Sequence, residues 1–355
     1  MTSIIYKDLD QITVKKINRI DILPYDPNWS DIFEKEAMFI KQALSHNCLA
    51  IHHIGSTSVP GLAAKPKIDM IAVVKNGHLS VSCLEKEGFT YKGEWNIPFK
   101  FGFTKRQGNH INLHVFEEGH PDIELNVLFR DLLRNNYHIR DDYERLKRSI
   151  LNDETAHDKQ HPFLKNYTLR KDEFIRSHLK QSDFNRSRFV LCAHTAEWAA
   201  VKYFRDTYFF SHYDTDDPYA WTFNHKDHAH LILYQGMEII GYAHVHFFPN
   251  QRSVIRMMLI HQDQQNQNFG SRFLVLIEIW LQRLGIKNIQ VTSRPSSLRF
   301  YVKNGYANMP FDDPDPYEFD LDGVPVGKVL HEESNSNLAS HRSSCPYQQF
   351  MCKIC

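Results

Sequence analysis

Residues 253–284 constrain the fold more than any other stretch of the chain. Ser253–Ile260 is apolar and β-leaning, as a buried strand requires. From His261 to Phe269 the chain is polar and rich in Gln and Asn, which reads as a loop. Phe269, Phe273, Leu276, Ile277, Trp280, Leu281 and Leu284 then recur at helical spacing and give one apolar face. A strand, a polar loop and a helix start leave backbone N–H groups pointing out of the helix end, a setting suited to phosphate or pyrophosphate. A second strand is expected at Ile286–Thr292 and a short helix within Arg294–Tyr306.

Two motifs in this region resemble those of the GNAT (Gcn5-related) N-acetyltransferases. Gln265-Asn-Gln-Asn-Phe-Gly270 is similar to the family's pyrophosphate loop, with Asn268 where the family usually has its first glycine. Asn accepts positive φ better than most residues. Phe300-Tyr-Val-Lys-Asn-Gly-Tyr306 is similar to the second signature. The resemblance covers Phe189 to Leu330 and implies acetyl-CoA as cofactor. It implies a pyrophosphate on the N–H groups of Asn266, Gln267, Asn268, Phe269, Gly270 and Ser271, opened by Gln265. It further implies pantetheine along Met258, Leu259 and Ile260, with the Leu259 N–H polarising the thioester carbonyl. Tyr301 would protonate the departing thiolate. Arg294 stands where the family often has an Asn contacting the cofactor. The acceptor is expected to be a small-molecule or peptide amine, which Asp214, Asp216 and Asp217 could attract. A non-catalytic acyl-CoA-binding module is the alternative within this half.

The chain has 355 residues, enough for two ordinary domains. Its 42 basic and 42 acidic residues cancel, so bulk charge gives no argument for nucleic acid or an anionic membrane. No apolar run approaches the ~18–20 residues that span a bilayer. Six scattered cysteines fit reduced thiols in a cytoplasm.

In the first half, Trp29 to Leu44 carries a helical apolar stripe, and strands are expected at Ala50–Ile54 and Lys67–Val74. Between them lies Gly55-Ser-Thr-Ser-Val-Pro-Gly-Leu-Ala-Ala-Lys-Pro66, a loop of small residues that lets backbone approach a phosphate. The run from His53 to Asp69, with His110, His114 and Phe129–Arg134, resembles the GrpB family, a branch of the nucleotidyltransferase superfamily. That resemblance covers Arg19 to Leu179. It implies a nucleotidyltransferase-like mixed sheet and makes Gly55, Ser56, Thr57, Ser58, Lys65 and Asp69 candidates for a phosphate or nucleotide site. The superfamily's chemistry uses clustered carboxylates around two metal ions. Its second carboxylate position is here Ile71, on the same face as Asp69. Nucleotidyl transfer or nucleotide binding by the first half is therefore kept as an alternative function, and no metal ligand is assigned. Arg130 and Arg134 either meet a phosphate or salt-bridge to carboxylates such as Asp131 and Asp141.

The expected organisation is α/β (α+β) in two domains, 1–180 GrpB-like and 189–330 GNAT, with a linker at 181–188 and a disordered tail at 331–355. His228, His230, His244 and His246 fall on a hairpin. A Gly236-Met237 loop with regular pairing puts two on each face, and a one-residue change puts all four on one face.

Overall fold

The computed structural model describes residues 20–158, 164–211, 217–313, 322–330 and 346–347. Residues 1–19 lie outside them, as does the expected tail apart from 346–347.

The first half runs α1 (Asn28–Leu44), β1 (Cys48–Ile54), β2 (Ile68–Val74), α2 (His78–Lys86), β3 (Thr90–Gly93), β4 (Phe101–Lys105), β5 (Ile111–Glu117), α3 (Pro121–Asn135), α4 (Tyr137–Leu151), α5 (Asn166–Leu169) and α6 (Asp172–Leu179). Its sheet has the order β1-β2-β5-β4-β3, with β2 and β5 parallel and the other neighbours antiparallel. Strand alternation divides β2 between two layers. Met70, Ala72 and Val74 pack with Trp29, Ile40 and Leu44 of α1, whereas Ile71 and Val73 pack with Ile54 and Phe116 on the other face. Both faces are thus covered, and β2 reads as an apolar run broken only by Asp69 for that reason.

The second half runs β6 (Ser187–Leu191), α7 (Thr195–Tyr208), β7 (His228–Gln235), β8 (Glu238–Phe248), β9 (Arg252–Ile260), α8 (Phe269–Arg283), β10 (Asn288–Ser293), α9 (Pro295–Lys303), β11 (Ala307–Asn308) and β12 (Val324–Val329). The sheet order is β11-β12-β10-β9-β8-β7-β6, and only β9 and β10 are parallel. The apolar face of α8 forms as its spacing predicts. Phe273, Leu276, Ile277, Trp280 and Leu281 are buried against this sheet, each stabilising by about 1.5–3 kcal/mol. α7 covers the opposite face through Val201 and Phe204.

Two boundaries differ from expectation. β6 starts at Ser187, inside the stretch read as linker, and Phe184 just before it is buried with Leu179 and Met237. Polar composition hid an anchored segment there. Tyr347, within the expected tail, is buried beside Phe99, and its hydroxyl accepts from the Phe189 N–H at 3.2 Å. Among the described residues no helix is long and apolar enough to cross a membrane.

The two sheets meet through the segment 94–100. Phe99 inserts into the second core beside Phe189. Glu94 accepts hydrogen bonds from the Phe99 N–H at 2.9 Å and from Trp280 Nε1 at 3.1 Å. The Leu191 N–H donates to the Asn96 carbonyl at 3.0 Å. Arg283 pairs with Glu117 at 3.2 Å.

Candidate active site

β9 and β10 are paired only from Arg252 to Val254, opposite Asn288 to Gln290. Beyond that they part. On its other edge β9 stays paired with β8 but carries one extra residue: His244 faces Met257 and Val245 faces Ile255, so Arg256 is bulged. The parting strands open a cleft lined by Arg256, Met258, Ser293, Arg294 and Tyr301, with Phe209 and Phe210 across it. Tyr301 is buried at 6% exposure on α9, packed against Phe300 and Tyr306. Arg294 caps α9 and lies over the Phe209 ring at 5.4 Å.

The strand's hydrogen bonds decide which amides of β9 face the cleft. The His261 N–H donates to Ile240 of β8 at 2.8 Å. Backbone groups alternate along a strand, so Leu259 also turns its N–H toward β8. The N–H groups of Met258 and Ile260 turn to the side that β10 has left. The Ile260 carbonyl agrees, since it accepts from Gln265 Nε2 at 2.9 Å. The amide facing the cleft is therefore that of Met258, not that of Leu259, because the bulge at Arg256 resets which residues face out.

Gln265 begins the loop by that hydrogen bond. Asn268 has a φ of 63°, the left-handed conformation that an Asn in a glycine's place accepts, and Asn266 shares it at 61°. Asn268 caps α8 without a side-chain hydrogen bond. The first-turn N–H groups of Phe269, Gly270 and Ser271 have no intrahelical acceptor. The Phe269 side chain serves the core instead. Gly270 lies flat against α9, where a Cβ would come within 3.2 Å of Phe300. None of Gln265 to Ser271 lines the cleft itself; they stand at the end of β9, beyond it.

The four histidines share one face, because a bulge between Leu233 and Tyr234 shifts the hairpin by one residue and sets His228 opposite His246 and His230 opposite His244. Their hydrogen bonds fix the tautomers. Arg205 can only donate, so it donates to the Tyr242 hydroxyl at 3.1 Å and to His244 Nδ1 at 3.4 Å. Tyr242 then donates to His230 Nδ1 at 2.8 Å, and His230 Nε2 donates to the Thr222 carbonyl. His244 Nε2 donates to His228 Nδ1 at 2.9 Å. His246 Nδ1 accepts from Arg256 at 3.1 Å. Each ring's free lone pair is engaged, so the set does not fit a metal ion. His246 has no lone pair left to act as a base. Burial, with neighbouring positive charge, lowers His230 to about 3 and His246 to about 4. Arg205 and Arg256 each form a bidentate pair, with Asp217 and Asp313. Asp217 is thus committed to Arg205 rather than free for an amine; Asp214 and Asp216 lie outside the described residues.

In the first half, Gly55 has φ of 70°, and a Cβ there would meet Asp69 Oδ2 at 2.9 Å. Only glycine lets the loop lie on that carboxylate. Ser56, Thr57, Lys65 and Asp69 line a pocket together with Lys67, Lys100, Lys171 and His194. Gly55 and Ser58 do not; Ser58 Oγ donates to the Gly55 carbonyl at 2.6 Å and shapes the loop. Arg130 and Arg134 hold the loop from behind, donating to the carbonyls of His53 and Ser58. Arg130 also pairs with Asp131, while Asp141 pairs with Arg140. Opposite Asp69 on β5 stands Asn112, which donates to it at 2.7 Å. With Ile71 buried and an amide at Asn112, one carboxylate remains, and a two-metal centre does not fit. Among the described residues no group of three or more His, Cys, Asp or Glu could hold a metal ion. Sequence reasoning missed Lys100, Lys171 and His194, because their convergence depends on elements far apart in the chain.

Comparison with known proteins divides the chain in the same way. The family model described as GrpB protein matches residues 19–181, and that of the Acetyltransferase (GNAT) family matches 195–306. The UPF0157 protein BH1888 of Halalkalibacterium halodurans is 39% identical over 151 residues, 41% of this chain and 77% of that protein. The UPF0157 protein YqkA of Bacillus subtilis is 35% identical over 193 residues, and the match spans about half of it, 52% of each chain. A solved putative N-acetyltransferase from Lactobacillus plantarum is covered over 100% of its length by 41% of this chain, at 17% identity and a TM-score of 0.34.

Proposed function

For a chain that belongs to the GrpB family through residues 19–181 and matches the GNAT family over 195–306, we propose an acetyl-CoA-dependent N-acetyltransferase acting on an amine by direct transfer. The observation that carries this reading is the parting of β9 and β10 at the Arg256 bulge, with Tyr301 in the cleft and the open N-terminus of α8 beyond it. The domain division that goes with it is a GrpB-like unit up to residue 180 and an acetyltransferase unit that begins with β6 at Ser187 and runs to 330.

Acetyl-CoA supplies an acetyl group activated as a thioester. The amides of Phe269, Gly270 and Ser271 bind its pyrophosphate, and the left-handed Asn268 turns them outward. The Met258 N–H donates to the thioester oxygen as negative charge develops there. The neutral amine forms the new C–N bond, the C–S bond breaks, and Tyr301 gives its proton to the thiolate. The attacking nitrogen, cationic once the C–N bond has formed, returns its proton through solvent to the Tyr301 phenolate, leaving a neutral amide and a free thiol. A reducing compartment such as cytoplasm keeps Cys48, Cys83 and Cys192 as the free thiols they are here.

The test is acetyl-CoA consumption, followed by thiol release over a panel of amines, for the native chain and Tyr301→Phe. Turnover is expected to fall by about 10²–10⁴-fold in the variant, with acetyl-CoA affinity unchanged. Equal turnover would remove Tyr301 from the mechanism.

A further inference from the structure

The pocket beside the Gly55 loop is not used by acetyl transfer. Four lysines reach it from three segments: Lys65 and Lys67 before β2, Lys100 before β4 and Lys171 at the cap of α6. Among the described residues Asp69 is the one carboxylate in its lining, and that group is already hydrogen-bonded to Asn112. Lys65 and Lys171 lie over the Tyr167 ring at 4.1 and 4.7 Å, and Lys100 lies over Trp95 at 4.3 Å. Aromatic faces thus hold three ammonium groups.

This arrangement is costly without a ligand. Burial disfavours each ammonium group, and the like charges of neighbouring lysines add to it for Lys65. Lys65 is brought down to about 7, and Lys100 and Lys171 to about 8. Trp95 and Phe99 hold φ of 57° and 68°, strained for aromatic residues, in the segment that forms one wall. That wall is anchored to the second sheet by the bond from Leu191 to Asn96, and His194 at the start of α7 completes the lining. The pocket is built from both halves of the molecule.

We propose that this junction pocket binds a phosphate-bearing anion of two or more negative charges, without a metal ion. The net positive lining repels divalent cations and leaves a polyanion to be neutralised by ammonium groups directly. The anion adds counter-charge beyond that of Asp69 near Lys65 and Lys171 and of Asp122 and Glu94 near Lys100, which does not offset the cost of burial.

The experiment is calorimetric titration of the full chain with inorganic pyrophosphate in EDTA. It is run in a Ser271→Glu background, so that the N-terminus of α8 is closed to the probe. Binding is expected to persist there and to weaken by about tenfold or more with Lys65→Met. The same substitution is expected to raise the melting temperature of the ligand-free chain, since it removes a repelled cation. Lys171→Gln serves as a second variant should Lys65→Met fail to fold. Tighter binding of ADP than of pyrophosphate would support the proposal and add a nucleoside to the ligand. No binding in EDTA, binding that needs Mg²⁺, or affinity unmoved by the folded lysine variants would overturn it. Acetyl-CoA binding, measured without the Ser271 change, is read separately and does not depend on this site.

Discussion

At the residue scale, two of the positive-φ positions, Gly55 and Asn268, behave differently. Gly55 must be glycine because Asp69 occupies the space a Cβ needs. Asn268 meets a backbone demand alone, since its φ of 63° is the left-handed region and its side chain caps nothing. Replacing it separates the two effects. Asn268→Gly is expected to leave thermal stability equal or higher, while Asn268→Val is expected to cost about 1–2 kcal/mol. Thermal unfolding checks both, and a Val variant as stable as the native chain would contradict the assignment. The left-handed Asn was legible from the sequence because the motif required it. The outward-facing amide of Met258 was not. One bulged residue, Arg256, reverses which amides face outward, and nothing in an apolar run announces a bulge.

At the scale of elements, β9 and α8 were legible because periodicity and burial coincide in them. The hairpin of β7 and β8 was legible in position but open in register, and the bulge at Leu233 decided it. The result is a stack of histidines that folding keeps neutral. Burial lowers His228 to about 2, His230 to about 3 and His246 to about 4, and in the first half it lowers His114 to about 3 and His53 and His120 to about 4. The unfolded chain therefore binds more protons than the folded one below pH 6.5, and stability falls as pH drops through that range. Glu94, Asp172 and Glu278, raised by burial, work in the opposite sense but are fewer. The urea midpoint is expected to be clearly lower at pH 5 than at pH 7.5. An equal or higher midpoint at pH 5 would show that the imidazoles are not held neutral.

At the scale of the whole molecule, the two sheets are joined by apolar insertion and not by a loose linker. Phe99 fills the second core, and Glu94 ties the first half to Trp280 on α8, the helix whose other end stands beyond the cleft. The sequence marked both halves by their motifs but not this joint. Its residues come from positions 94–100, 187–191 and 280–283, which no local pattern connects. Because the joint shares a core, the halves are expected to unfold together, and a ligand of one stabilises both. The most direct measurement is scanning calorimetry of the full chain with and without acetyl-CoA. A single transition is expected, raised by about 2.7 kcal/mol of stability at ~100 times the dissociation constant, with the shift lost in Ser271→Glu. A transition that acetyl-CoA leaves unmoved, or moves equally in that variant, would contradict an acetyl-CoA site at the N-terminus of α8.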